Sequence, residues 1–170
     1  SDVSMFKELA EEFQLNDGTV YRFELSAFDR AGNSSADYNV DSVTYDITPP
    51  LLTTIYPATE ASINETAVSF SINEPLRAGE FRWEQTEGTM DSSAPHIIEL
   101  IPSELEQGDH IQVLLSNQTE LTDGTLYSLM FVAQDLAGNE GIAPPNTEIL
   151  YDAVPPEFTD VLPVKGNALN

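Results

Sequence analysis

Two aspartates, Asp29 and Asp135, stand in the same short frame, Asp-x-Ala-Gly-Asn, each at the end of an alternating apolar stretch. A carboxylate in that place can accept the backbone N–H groups of a tight turn whose Gly and Asn supply the left-handed positions. It can also offer oxygen to a hard cation, and the residues leave both uses of Asp135 open. Catalytic chemistry has far less to draw on. There is no Cys, and the two histidines, His96 and His110, lack metal-ligand spacing, open short apolar stretches and read as solvated edge residues. Carboxylate pairs at glycosidase distance carry no information among 29 acids. No phosphate-binding glycine loop occurs, and the expectation is a protein that is not an enzyme.

These residues sit in a repeat. LNDGTVYRFELSAFDRAGN (residues 15–33) returns as LTDGTLYSLMFVAQDLAGN (residues 121–139), an offset of 106. The offset also relates Tyr45-Asp46 to Tyr151-Asp152, Pro49-Pro50 to Pro155-Pro156, Pro57 to Pro163 and Asn64 to Asn170. About 18 of the 64 positions compared are identical without a gap. The chain therefore divides into residues 1–48, the back half of one repeat; 49–152, a complete repeat; and 153–170, a linker and the first strand of the next. Thr48-Pro49-Pro50 marks a boundary, since two prolines cannot donate to a ladder and hold the chain extended.

Within the repeats the apolar period is two. Tyr21, Phe23, Leu25 and Ala27 alternate with Arg22, Glu24 and Ser26, which predicts a half-buried strand over residues 19–28 and fixes the inward face of its copy over 125–134. A weaker strand is expected over residues 5–9 and another over 39–45. In the complete repeat, strands are expected at 52–56, 66–72, 80–85, 96–101, 110–115, 125–134 and 147–151, with turn residues between them. The expected core is Val68, Phe70, Ile72, Phe81, Trp83, Tyr127, Leu129, Phe131, Ile149 and Tyr151. No helical period is sustained, and short strands at this spacing argue for an all-β antiparallel sandwich.

Net charge is −23, with 41% hydrophobic residues. Such a surface repels phosphate backbones and anionic lipid and attracts divalent cations, so nucleic-acid and membrane partners are not expected. It also serves to keep a long extended protein in solution. The lack of Cys in a module of this size leans toward a bacterial surface protein, no apolar run is long enough to span a bilayer, and the first repeat begins part-way through.

Leu121-x-Asp-Gly-Thr-x-Tyr127, the strand ending in Ala-x-Asp, the Ala-Gly-Asn turn and the closing Tyr-Asp-x-x-Pro-Pro resemble bacterial immunoglobulin-like repeats. Those repeats stand in tandem in large secreted and cell-surface proteins, many of them adhesins. The turn before Tyr127 is also similar to the fibronectin type III pattern. The resemblance implies immunoglobulin-like β-sandwich repeats, a tyrosine corner at Tyr21 and Tyr127, and a core role for Trp83. It implies an extracellular structural or adhesive spacer whose partners are adjacent repeats and a surface glycan or protein receptor. It further implies a repeat junction gathering Asp17, Asp46, Glu74 and Asp135, where calcium would relieve the repulsion of four carboxylates. Two alternatives remain open. One is a carbohydrate-binding accessory module of a secreted polysaccharide-degrading enzyme, which would need an outward aromatic platform. The other is a filament subunit completed by strands from neighbouring subunits.

Overall fold

The computed structural model describes residues 14–158, so the expectations for residues 5–9 and for the strand of the third copy lie outside the described residues. The described chain is mostly β: β1 (Thr19–Leu25), β2 (Tyr38–Tyr45), β3 (Leu52–Tyr56), β4 (Ser62–Ile63), β5 (Val68–Ile72), β6 (Leu76–Gly88), β7 (His96–Glu99), β8 (Gly108–Val113), β9 (Thr125–Asp135), β10 (Glu140–Ile142) and β11 (Asn146–Tyr151). A single 3-10 turn, Pro102–Glu104, is the helical exception among them.

β1 and β2 form an antiparallel pair. In the rest of the chain a three-stranded sheet, β3-β5-β8, faces a six-stranded one, β4-β11-β9-β6-β7 with β10 on β9. All pairings are antiparallel except β4 with β11. The alternation of β9 explains its central place: Thr125, Tyr127, Leu129, Phe131, Ala133 and Asp135 are buried, while the residues between them are half-buried. β6 pairs along one edge of β9 and β11 along the other. Across the interior, Phe70 of the three-stranded sheet meets Phe81 edge-on at 5.2 Å and Phe131 at 5.3 Å, and Phe81 stacks on Phe131 at 4.5 Å. Trp83 meets Tyr127 edge-on and is fully buried.

Each of the seven strands expected in residues 51–152 is present. Two more, β4 and β10, are too short to show a period. β6 is longer than expected because Gly79 breaks the apolar alternation without breaking the strand. A Cβ there would lie 3.1 Å from Leu100 Cδ1 and 3.3 Å from Ala133 Cβ, so a larger residue would need these side chains to give way. All ten expected core residues lie in or against the core, with Tyr151 only half-buried.

The β1–β2 pair repeats β9–β11 down to its irregularities. Thr19↔Tyr45, Val20↔Thr44, Tyr21↔Val43 and, past a bulge, Phe23↔Val40 match Thr125↔Tyr151, Leu126↔Leu150, Tyr127↔Ile149 and, past the same bulge, Leu129↔Asn146. Ser42 at the first bulge and Glu148 at the second both take positive φ, 61° and 57°.

Phe131→Ala should lower unfolding free energy by about 3–5 kcal/mol, the usual range for emptying a buried phenylalanine site. Ile97→Ala, on the outward face of β7 and 54% exposed, should stay within about 0.5 kcal/mol of the parent. Urea titration of both separates the two.

Candidate functional site

The junction begins at Asp46, where β2 ends and the chain runs extended through Ile47, Thr48 and the two prolines into β3. Groups from both sides hold this linker. Asp17 accepts the Ile47 N–H at 2.8 Å and the Thr48 hydroxyl at 2.5 Å. Asp46 accepts the Thr48 N–H at 3.0 Å, closing an Asx turn. From the far side, Asn139 donates to the Asp46 carbonyl at 3.1 Å, and Asn73 accepts the Leu51 N–H at 2.7 Å. Pro50 is buried, and its carbonyl lies so close over Gly141 that a Cβ there would stand 2.3 Å from the oxygen.

Of the four acids expected together, the structure gathers three. Oxygens of Asp46, Glu74 and Asp135 lie within 4.8 Å of one another, Asp135 buried and the other two half-buried. Asp46 and Glu74 border a cleft of about 280 Å³ with Thr44, Pro75, Leu136 and Ala137. Asp17 is not one of the group; both its oxygens hold the linker backbone and Thr48. The turn role of Asp135 is also explicit. One oxygen accepts the Gly138 and Asn139 N–H groups at 2.7 and 2.9 Å, and the other accepts the Asn139 side-chain amide at 2.8 Å. Asp29 does the same with Ala31 and Asn33.

The electrostatics of the trio are uneven. Burial raises the Asp135 pKa, but the bonds from Asn139 and the turn backbone outweigh it, and the carboxyl sits below its usual value. Glu74 is pushed up, first by burial and then by the charges of Asp46 and Asp135. Like charges ~4 Å apart repel by about 1–4 kcal/mol at surface-like dielectrics. Oxygen ligands alone, two of them half-exposed, suit a hard cation such as calcium, whose loose geometry lets backbone carbonyls and water complete the shell.

A second polar group was not legible in the sequence. Asp91 and His96 are both buried, and His96 Nε2 lies 2.6 Å from Asp91 Oδ2. Tyr127 donates its hydroxyl to the same oxygen at 2.6 Å and accepts the Thr122 N–H at 2.9 Å. Thr119 Oγ1 lies 2.7 Å from His96 Nδ1. His96 is therefore no solvated edge residue: it points inward from β7 because Asp91 and Thr119 between them satisfy both ring nitrogens. His110 departs from that reading too, half-buried and stacked on Phe70 at 4.4 Å. Tyr21 repeats the backbone half of the tyrosine arrangement, accepting the Asn16 N–H at 2.7 Å. Asp91 has no equivalent within the chain, so recurrence could not flag it.

No protein-family model matches the chain, and no curated protein matches it.

Bonds from His96 and then Tyr127 hold Asp91 down to about 2, from an ordinary 3.8. A depressed carboxyl stabilises the fold fully above its unfolded value and loses that contribution as pH falls toward its folded one. Thermal melts should therefore fall between about pH 4 and 2, and Asp91→Asn should flatten that part of the profile while lowering stability at neutral pH by about 1–3 kcal/mol. Gly141→Ala should push the linker off β10. Limited proteolysis at residues 47–51 should quicken, and the complete unit should lose about 1–3 kcal/mol.

Proposed function

We propose that this chain is a segment of a tandem array of immunoglobulin-like β-sandwich repeats in a long extracellular protein, where it acts as a spacer that sets length and stiffness. One observation carries this reading: the same set of bonds returns after 106 residues. Tyr21 and Tyr127 each accept a backbone N–H five residues upstream. Asp29 and Asp135 each organise the same turn with Asn33 and Asn139. Asp17 and Asp123 each accept the N–H of the residue after the closing Tyr-Asp, at Ile47 and Ala153. The last of these is the telling one, because it repeats a device that fixes the exit of one unit toward the next. A unit built to hold its linker serves an array, whose mechanics depend on how firmly neighbours are joined.

Calcium at Asp46, Glu74 and Asp135 is the second part of the proposal. The trio joins a carboxylate from the end of one unit to two from the next, so a bound dication would cross-link the junction. Affinities of extracellular calcium modules run about 10⁻⁴–10⁻³ M, a range in which extracellular calcium fills the site. The carbohydrate-binding alternative draws no support from the largest aromatics, since Trp83, Tyr127, Phe70, Phe81 and Phe131 all face inward.

Isothermal titration with calcium, and melting curves with and without chelator, test the metal. Binding heat and a raised Tm at millimolar calcium are expected. Glu74, raised by burial and its two acidic neighbours, opposes folding while ionised, and that cost fades as pH falls through its folded pKa. Glu74→Gln should thus melt higher than the parent in chelator yet lose the calcium response. No heat and an unchanged Tm would remove calcium from the reading. The spacer itself is tested by NMR relaxation in chelator: the β1–β2 pair and the complete unit should tumble together, and independent tumbling would refute a held linker.

A further inference from the structure

The two faces of a strand answer different demands, and the repeat separates them. On the inward face of β9, Tyr127, Leu129 and Phe131 stand 106 residues on from Tyr21, Phe23 and Leu25, apolar in both copies. The outward face is not kept. Arg22, Glu24 and Ser26 of the first copy give way to Ser128, Met130 and Val132 in the second, and Ala36 gives way to Ile142. Both strand pairs form with the same register and bulge, so pairing does not require the apolar set. Nor is an apolar outer face general in the complete unit. The three-stranded sheet turns the row Thr53, Ser71 and Asp109 outward, as a solvated antiparallel face does.

The register joins these residues into a stripe across the six-stranded sheet. Ile97 of β7 pairs with Arg82 of β6, and Arg82 with Met130 of β9; in the next row Val132 pairs with Ile142 of β10. Ile97 and Ile142 are 54% and 58% exposed, and Met130 and Val132 are half-buried. Arg82 fills the gap between Ile97 and Met130 with its aliphatic stem, while Glu80 holds its guanidinium through Nε and Nη2. A hollow of about 160 Å³ opens beside it, among Ala78, Glu80, Val132, Gln134 and Glu140. Carboxylates flank the stripe, Glu84 on one side and Glu99 and Glu140 on the other, with Arg77 further along β6 at its bulge. Four adjacent strands at about 4.8 Å spacing make the stripe roughly 14 Å long.

We propose that this stripe is a binding surface for a basic amphipathic helix of a partner protein, laid across β7, β6, β9 and β10. Roughly ten helical residues cover that length at about 1.5 Å each. The apolar side of the helix meets Ile97, Met130, Val132 and Ile142, and one of its side chains enters the hollow. Lysines or arginines along its flanks meet Glu84, Glu99 and Glu140. A helix suits the site better than an added strand. β6 and β9 are already paired on both edges, and the Glu99 carbonyl of β7 accepts the Asn117 amide. Charge selects the occupant. A second copy of this chain, at net −23, and an anionic bilayer would both be repelled from the stripe, whereas a cationic helix is steered to it. The surface gives the unit an attachment point, and it rests on neither the spacer reading nor calcium.

Labelled helical peptides titrated against the full chain test it by fluorescence anisotropy, with amide shifts followed by NMR. The probe carries leucines along one side of about three helical turns and lysines elsewhere, and its control spreads the same leucines around the helix. The probe should bind with shifts confined to β6, β7, β9 and β10, and the control about tenfold more weakly or worse. Ile97→Asp and Ile142→Asp should each weaken the probe about tenfold, although the added charge attracts lysine. Ile111→Asp, on the outward side of the three-stranded sheet and 64% exposed, should leave it unchanged. Glu84→Gln should lessen the salt dependence of binding. Melting curves like the parent's, expected at such exposed positions, keep loss of binding distinct from loss of fold. Equal binding of the two peptides, shifts scattered over acids of the whole chain, or full affinity in Ile142→Asp would overturn the proposal. So would sedimentation showing that the chain pairs with itself until Ile142→Asp separates it.

Discussion

A strand enclosed on both edges and on one face is the constraint on which this structure depends. β9 lies between β6 and β11, and its inward row is entirely buried from Thr125 to Asp135. Burial of each large side chain in that row is worth roughly 1.5–3 kcal/mol, which offsets the cost of ordering the long loops between strands. β1 has the same alternation, the same turn before it and the same bulge beside it, yet Leu25 is 67% exposed where Phe131 is fully buried. The local code specifies the strand pair in both places. Only the presence of β3 to β8 turns a paired ribbon into a core, as expected from the marginal stability of two strands alone.

That contrast explains what could be read in advance. Period-two alternation is a property of neighbouring residues, so β5, β6 and β9 were legible from Val68, Phe81 and Tyr127 and their spacing. Two occurrences of the Asp-x-Ala-Gly-Asn frame marked Asp135 as a turn former and left cation binding open beside it. β4 was not legible, because two residues carry no period and its parallel partner lies far away in the chain. Nor was the Asp91–His96–Tyr127 group. Its members come from a loop, a strand start and a central strand, and only the tyrosine recurs. Asp17 was expected among the metal-binding acids, and the structure leaves it outside the three that it brings together. Sequence placed it at the right end of the unit but could not show that its two oxygens were already committed to Ile47 and Thr48.

The two buried or half-buried acidic groups solve the same problem by opposite means. Asp91 loses its hydration but meets a tyrosine hydroxyl, an imidazole and the Ser93 N–H. Its charge is answered from within the fold, and its carboxyl drops. Glu74 meets two further carboxylates, and its carboxyl rises. A buried site that gathers like charges is unfavourable on its own terms, and stabilisation from elsewhere must carry it.

At the junction that support is visible in the linker. Asn139 is the pivot: one amide group donates to both the Asp135 carboxylate and the Asp46 carbonyl, so the turn that shapes the second unit also grips the end of the first. One Asp135 oxygen is filled by the Gly138 and Asn139 N–H groups, the other keeps a lone pair beside the Asn139 amide, and Asp46 has engaged only one oxygen, with Thr48. At that second Asp135 oxygen, turn formation and cation binding do not compete for the same electrons. The turn fixes the carboxylate in place, the Pro50–Gly141 contact fixes the distance between units, and a cation would find its ligands already oriented. Hydrogen bonds set the joint, and the repulsion of Glu74 by Asp46 and Asp135 is the term they leave unanswered.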